Sequence, residues 1–442
     1  MSAVAIIGGG ISGLTAAYLL QRAGHTVTVF EGNEQPGGKV VTDVLDGCRV
    51  DAGAQLFGSM YRRFLSLVRE IGLGDRLVRV PGRDALWRDG RAHEVVYGST
   101  TSMIASGSLP LRTKLRLGAS YVPFLSKHRD SLRLDAPELA AEAGLDGESI
   151  ATWGKREVDS VFVRSLVYPQ LGAYYGSRPE ETSAGFYHIL ACYGLDVALY
   201  AIDGGAGEVP RALAERIMTN GGKLRTGTAV EQVEMADSGV TIVTGSDSER
   251  FDAAISAIPA PALLSIASGL PDALVAWLAE VRFNPTLSVA LTLDSPVGPR
   301  YFGLSFPQGE TRYVAAVAIQ ENKEVELVPA GRGAVVALPT PEAVVSMMEM
   351  ESRAILDLML PEISAALPGI ARRVTRARVY RWPLGTPVMF PGYLRHLGAF
   401  RRDDPERSSC VAIAGDYLYG PSVEGAVLSA ESAVARLQRR LG

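Results

Sequence analysis

The chain has 442 residues, 47% of them hydrophobic and 21% charged, with a formal net charge of −4. That composition supports a sizeable core in two or three domains and excludes bulk disorder and a polybasic nucleic-acid surface. Three separated cysteines, Cys48, Cys192 and Cys410, and five scattered histidines match no metal-ligand spacing, so no metal is expected and a reduced, cytoplasmic setting is. No run reaches the roughly 18 apolar residues of a spanning helix. A glycine-rich turn begins so near Met1 that no leader peptide is expected ahead of it.

The stretch Val4 to Glu31 reads as a buried strand, a glycine turn, an amphipathic helix and a second strand ending in an acid. Gly8, Gly10 and Gly13 fit G-x-G-x-x-G with a strand before the motif and a helix starting inside it, the context of dinucleotide binding. The first two glycines let the backbone turn and approach a pyrophosphate, and the third lets the helix pack on the strand. The helix N-terminus offers free N–H groups to phosphate. Glu31, 18 residues beyond Gly13, stands where a carboxylate binds ribose hydroxyls and disfavours a 2′-phosphate, and so NADP.

Gly37 and Gly38 then form a tight loop, and Lys39 can reach a phosphate as a point charge. Val40 to Thr42 starts a strand, and in VDAGAQLFG the small pair Gly53-Ala54 lets backbone lie against a flat ring. Met60 to Leu73 has helical spacing stopped by glycines. Residues 85–98 read as a hairpin turned at Asp89-Gly90. Thr100 to Leu199 is mostly helical and rich in aromatics.

Within it, Leu109 to Arg129 mixes basic and apolar residues. This segment could lie on a membrane surface or line a pocket mouth for an acidic, apolar substrate. Pro123 interrupts the pattern and tips the reading toward a core-facing helix with a solvated basic face.

Gly204 to Ile217 is a second glycine turn leading into a helix. Residues 221–224, Ala229-Val230, Val240 to Val243 and 251–259 read as strands, as do Leu287 to Leu293, Arg312 to Ile319 and Gly333 to Leu338. Pro341 to Leu360 is helical by spacing, and Ser409 to Ala414 is a buried strand before a loop and a final helix starting near Ala426.

GGGISGL, Glu31, GGK, VDAGAQ, GGAGEVP, Val230, SAIP and AGD…PSVEGA, in that order, resemble the FAD-dependent amine oxidase superfamily across nearly the whole chain. Gly147 to Ala184 and Arg381 to Leu394 are most similar to its protoporphyrinogen oxidase-like members. The resemblance implies an α/β fold in which a Rossmann-type FAD-binding domain (1–80, 201–265 and 405–442) is interleaved with a substrate domain of helices over an antiparallel sheet (81–200 and 266–404, the helical part about 100–200).

It also implies roles. Gly8, Gly10, Ser12 and Gly13 hold the pyrophosphate, Glu31 the adenosine ribose, and Gly38 and Lys39 a phosphate, Lys39 standing where the family usually has Arg. Ala54, Gln55 and Leu56 touch the flavin ring, and the backbone of Val230 bonds the adenine. Gly415 and Asp416 hold the ribityl and pyrophosphate end, while Val423, Glu424, Gly425 and Ala426 face the pyrimidine side. Trp382 joins the cofactor-binding set and, with Tyr419, is the nearest candidate for an aromatic wall.

Two departures bear on activity. Phe283 to Leu293, the strand on which amine oxidases carry a Lys near flavin N5, has none, and no Cys lies in the C-terminal loop, so the FAD should be non-covalent. No Ser-His-Asp or Cys-His pattern is present, which suits hydride removal from a C–H bond of an apolar small molecule, with O₂ or another acceptor taking the electrons. A base could assist, and His188 and Tyr187 lie in the substrate domain, but a satisfied structural histidine is the favoured reading and no catalytic side chain is assigned. The alternatives are an amine or amino-acid oxidase, a carotenoid-type desaturase or isomerase, and a non-catalytic binding module of the dissociation-inhibitor type. A peripheral membrane contact stays open.

Overall fold

The computed structural model describes residues 1–194, 197–236, 239–323, 325–407 and 409–441. Residues 195 and 196 of the stretch Thr100 to Leu199 lie outside them, and Leu199 itself begins a strand, Leu199–Ile202.

Strand β1 (Ala3–Ile7) is apolar throughout and buried from Val4 on, as suits a strand covered on both faces. It lies between β2 (Thr26–Phe30) and the strand Ala253–Ser256, pairing parallel with each in the registers Val4↔Val27 and Val4↔Ala253. Lys223–Arg225 and Val411–Ile413 complete a five-stranded parallel sheet. Helix α1 (Ile11–Arg22) packs between the helices Glu208–Thr219 and Val423–Leu441. The start, middle and end of the chain therefore meet in one sheet, the condition for a single site built from distant motifs.

A second sheet has seven strands in the spatial order Val374–Pro387, Phe283–Leu293, Gly333–Pro339, Val314–Ile319, Gly303–Ser305, Arg83–Arg88 and Arg91–Val96. Its neighbours are antiparallel except Gly303–Ser305 with Arg83–Arg88, which run parallel. The hairpin 83–96 turns at Asp89 and Gly90, whose φ angles of 52° and 73° are the positive pair that a tight two-residue turn needs. The helix Tyr168–Tyr175 packs on this sheet, and with the helices Ile150–Glu157 and Ala184–Gly194 it forms the layer above it. The architecture is the interleaved α/β one that the motifs imply.

Several local expectations need correction. Ala229 and Val230 are loop, not strand, because the chain leaves the parallel sheet after Arg225. The helical pattern after Pro341 divides into Pro341–Met347 and Ser352–Ala366 rather than running through. The last helix begins at Val423, one turn before Ala426. Pro123 does not break its segment: a wide π-type turn, Leu117–Tyr121, joins the helices Leu111–Arg116 and Val122–Lys127 and absorbs the lost N–H. Nor does that segment bury its whole apolar face. Tyr121 and Leu125 point inward, but Leu111, Leu115 and Val122 are 70%, 63% and 42% exposed.

Candidate functional site

The turn after β1 is shaped by missing side chains. Gly8 has φ +101°, and a Cβ on Gly13 would lie 1.9 Å from the Gly8 carbonyl oxygen, so only hydrogen fits where α1 crosses the turn. A Cβ on Gly10 meets nothing within 4 Å: the backbone there faces open space. Ser12 is buried in the first turn of α1. Gly37 N–H donates to the Gly9 carbonyl at 2.9 Å, and Gly38 folds over the Gly10 Cα.

Glu31 is buried and fixed beside this turn. It accepts the Gly9 N–H at 2.7 Å on one oxygen and the Asn33 N–H and side-chain amide at 2.8 and 2.6 Å on the other. Thr228 and Gly227 donate to the carbonyls of Glu31 and Asn33, both at 2.8 Å, which brings the loop carrying Val230 to the same end of the sheet.

Lys39 joins three segments. Its ammonium lies 2.5 Å from Asp416 Oδ2 and 2.7 Å from the Gly385 carbonyl. Trp382, on the same strand as Gly385, donates its indole N–H to the Gly38 carbonyl at 3.3 Å and stacks on Tyr380. Gly415 N–H donates to Ser429 Oγ at 2.9 Å, anchoring the loop to the last helix. A Cβ on Gly425 would lie 2.3 Å from the Gly420 carbonyl oxygen, so the helix start at Val423 to Ala426 can close on that loop only with glycine there. Tyr419, by contrast, lies under the Arg401 guanidinium at 4.3 Å.

The segment after Asp51 is held from below. Asp51 and Lys323 form an ion pair at 2.6 Å with both side chains almost wholly buried. Burial pulls the Lys323 ammonium below the usual lysine range, against the attraction of Asp51. Asp51 also accepts the Thr42 hydroxyl at 2.5 Å and the Ala206 N–H at 2.9 Å. One helical turn away from Lys323, Gln320 donates its side-chain amide to Gln55 Oε1 at 2.8 Å, and Gln55 Nε2 is left buried without a partner. Ala54 N–H donates to the Lys39 carbonyl at 3.0 Å, and a Cβ on Gly53 would fall 2.0 Å from that oxygen. A cavity of about 280 Å³ opens beside Leu56, with Val80, Gly82, Phe302 and Lys323 in its wall.

Glu424 has a side-chain role that the sequence did not indicate, whereas His188 takes the structural one that was expected of it. Both Glu424 oxygens are taken by backbone N–H groups, Arg63 at 3.0 Å and Phe64 at 2.9 Å, so its side chain caps the helix Arg62–Val68 rather than standing free. His188 sits wholly buried among Tyr121, Phe124 and Trp153, with Nδ1 3.0 Å from the Tyr121 hydroxyl and Nε2 unpartnered. Burial, with His128 nearby, lowers its pKa to about 3, so it is a neutral core histidine. Tyr187 donates its hydroxyl to Gln170 at 2.8 Å and is likewise core. Sequence reasoning missed Lys323 and Gln320, which lie far along the chain in a stretch with no motif, and the part of Gly385, whose contact is made by its backbone carbonyl.

A dinucleotide with a flat ring fits these residues. The Gly10 backbone faces free space at a helix N-terminus, Glu31 is oriented at the end of β2, and the orphaned Gln55 amide waits beside the small Gly53-Ala54 pair. The fold and site define a flavin-dinucleotide-binding protein of the two-domain oxidoreductase type. The sequence profile of the flavin containing amine oxidoreductase family matches residues 11–438, and the chain belongs to that family.

Relatives differ in what their names state. AofH of Mycobacterium tuberculosis, named as a flavin-containing monoamine oxidase, is 26% identical over 69% of this chain, which spans only 62% of that protein's length. Coproporphyrinogen III oxidase of Mycobacterium bovis is 25% identical over 97% of this chain and 96% of its own. Among solved structures, cyclohexylamine oxidase of Brevibacterium oxydans superposes with a TM-score of 0.76 at 21% identity, covering 100% of this chain and 99% of its own; that likeness is one of fold. Among the described residues no helix is long and apolar enough to cross a membrane.

Proposed function

We propose that this protein is an FAD-dependent oxidoreductase that dehydrogenates an apolar, ring-containing small molecule of the porphyrinogen kind. The observation that carries the substrate class is the end-to-end similarity to a coproporphyrinogen III oxidase, against partial coverage of the relative named as a monoamine oxidase. The strand Phe283–Leu293, which carries no Lys, agrees with it.

Bound FAD supplies a two-electron acceptor next to the substrate. The chain supplies the rest. Gly8, Gly10, Ser12 and Gly13 with the α1 N-terminus take the pyrophosphate, helped by Gly38 and Lys39, and Glu31 takes the ribose. Val230 meets the adenine through its backbone. Ala54, Gln55, Leu56 and Trp382 border the ring, and Gly415, Asp416 and residues 423–426 close it from the other end. No cysteine lies in that closing loop, so the cofactor is held non-covalently. O₂ or another acceptor reoxidises it. The exposed Leu111, Leu115 and Val122, flanked by Arg112 and Lys127, form the face on which a peripheral lipid contact would fall.

The test is anaerobic mixing of the FAD-loaded protein with coproporphyrinogen III. Bleaching of the flavin, with recovery on admitting an acceptor, is expected. Bleaching by cyclohexylamine instead would favour the amine oxidase reading, and a colourless protein that takes up no FAD would return the fold to a binding role.

A further inference from the structure

We propose that a groove in the helical layer, lined by His188, is a second ligand site that takes an uncharged ring compound bearing a carbonyl oxygen. The inference goes beyond the dehydrogenase reading above and does not depend on it.

The groove measures about 360 Å³, within the roughly 300–1,000 Å³ of small-molecule pockets. Leu145 and the Trp153 indole give it apolar walls, and Gly147 leaves one side without a side chain. A Cβ on Gly147 would meet nothing within 4 Å. The groove is separate from the segments proposed to hold the dinucleotide. His188 and Phe186 stand two positions apart on the helix Ala184–Gly194 and so point about 200° apart around its axis. Phe186 is turned toward the C-terminal loop, where a Cβ on Gly420 would lie 3.1 Å from its ring.

His188 supplies the polar group. Its ring is wholly buried and edge-on to Trp153, with centroids 4.4 Å apart. Nδ1 lies 3.0 Å from the Tyr121 hydroxyl, and Nε2 has no partner. With Nδ1 turned to Tyr121, the far edge of the ring is the one left for the groove.

The tautomer follows from counting protons. Tyr121 is buried, and among the described residues its hydroxyl is hydrogen-bonded to His188 alone. If Tyr121 donates to Nδ1, Nε2 carries the ring proton and a single donor goes unmet. If Nδ1 donates instead, the Tyr121 proton and the Nε2 lone pair both go unmet. The first arrangement leaves less buried polarity unpaired, so Nε2 presents an N–H that an oxygen acceptor would satisfy.

The charges at the rim select against an anion. Arg156 gives both terminal nitrogens to Glu148 and its Nε to Glu157, each at 2.7 Å, so one guanidinium faces two carboxylates. A carboxylate ligand would find that cation already taken and the rim net negative. A carbonyl on a flat apolar ring meets the Nε2–H, covers Leu145 and the indole, and needs no countercharge.

The experiment uses the full chain loaded with FAD and probes of similar size: acetophenone, ethylbenzene, which lacks the oxygen, and benzoate, which is charged. Proton–nitrogen correlation spectra of histidine-labelled protein should show the His188 proton on Nε2, identified by its loss in His188→Phe, and acetophenone should move that signal. Acetophenone should bind about tenfold or more tightly than either of the other two, the difference made by one satisfied hydrogen bond. His188→Phe keeps the ring and should bring acetophenone down to the level of ethylbenzene. Gly147→Leu has open space for its side chain and no left-handed backbone to strain, so it should fold normally and block acetophenone. That variant tests the site even if His188→Phe does not fold. Acetophenone bound no more tightly than ethylbenzene, an unmoved His188 signal, or binding unchanged in Gly147→Leu overturns the site, whatever substrate the flavin oxidises.

Discussion

Replacing Lys323 by Met tests whether the ion pair beneath Ala54, Gln55 and Leu56, proposed to border the flavin ring, holds that segment in place. Met keeps an unbranched stem in the pocket beside Phe302, whose ring centroid lies 5.6 Å from the ammonium, and removes only the charge. Asp51 then remains almost fully buried, with the Thr42 hydroxyl and Ala206 N–H as partners but no cation. Removing one member of a buried pair costs about 3–5 kcal/mol, because the other charge is left uncompensated. Denaturant unfolding should show that loss as a lower midpoint with an unchanged slope.

The double variant Asp51→Asn/Lys323→Met should recover at least half of the loss, since no charge is then buried, and so give a large coupling between the sites. The Lys323 single variant should also bind FAD more weakly, because Gln320, on the same turn, holds the Gln55 side chain. A loss below about 1 kcal/mol, or a double variant no better than the single one, would refute the assignment of a desolvated pair that supports the site.

Gly13→Ala should give folded protein that retains at least tenfold less FAD. Its Cβ must move by about 1 Å to escape the Gly8 carbonyl, an overpacking cost of about 1–3 kcal/mol placed on the turn proposed to take the pyrophosphate, and stoichiometric flavin by absorbance would contradict this. His188 makes stability depend on acid. Its folded pKa of about 3 lies below the ordinary 6.5, so the neutral ring's contribution is complete above pH 6.5 and is lost as pH falls toward 3. The loss is about 2 kcal/mol by pH 5. Urea midpoints at pH 7 and 5 should differ less in His188→Phe than in the wild type, and an equal difference would sink the assignment.

Legibility followed the range of the physical constraint. The βαβ unit could be read because the steric demands of Gly8 and Gly13 act within a few residues and leave a fixed spacing. The hairpin at Asp89-Gly90 was legible for the same reason. Lys39 and Asp416 could each be named, but their 2.5 Å contact depends on sheet closure across nearly the whole chain. The cap that Glu424 makes could not be read because an acid at a helix start can cap its own helix, meet a ligand or, as here, cap another helix, and sequence does not distinguish these. Lys323 gave no signal at all: it is an ordinary charged residue ending a one-turn helix, and only burial makes it unusual. Pro123 misled because a wide turn can take up a missing donor without ending the helical path.

The order of strands in the parallel sheet has a consequence for synthesis. β1 and β2 emerge early, but the partner for β1's other edge is not made until residue 253. At ribosomal speed that is a delay of roughly 10–45 s. The edge strand of residues 411–413 and the last helix, Val423–Leu441, come later still. A nascent chain therefore carries an open, greasy sheet margin for most of its production, which makes this fold a natural client for chaperones and ties cofactor capture to the last moments of translation.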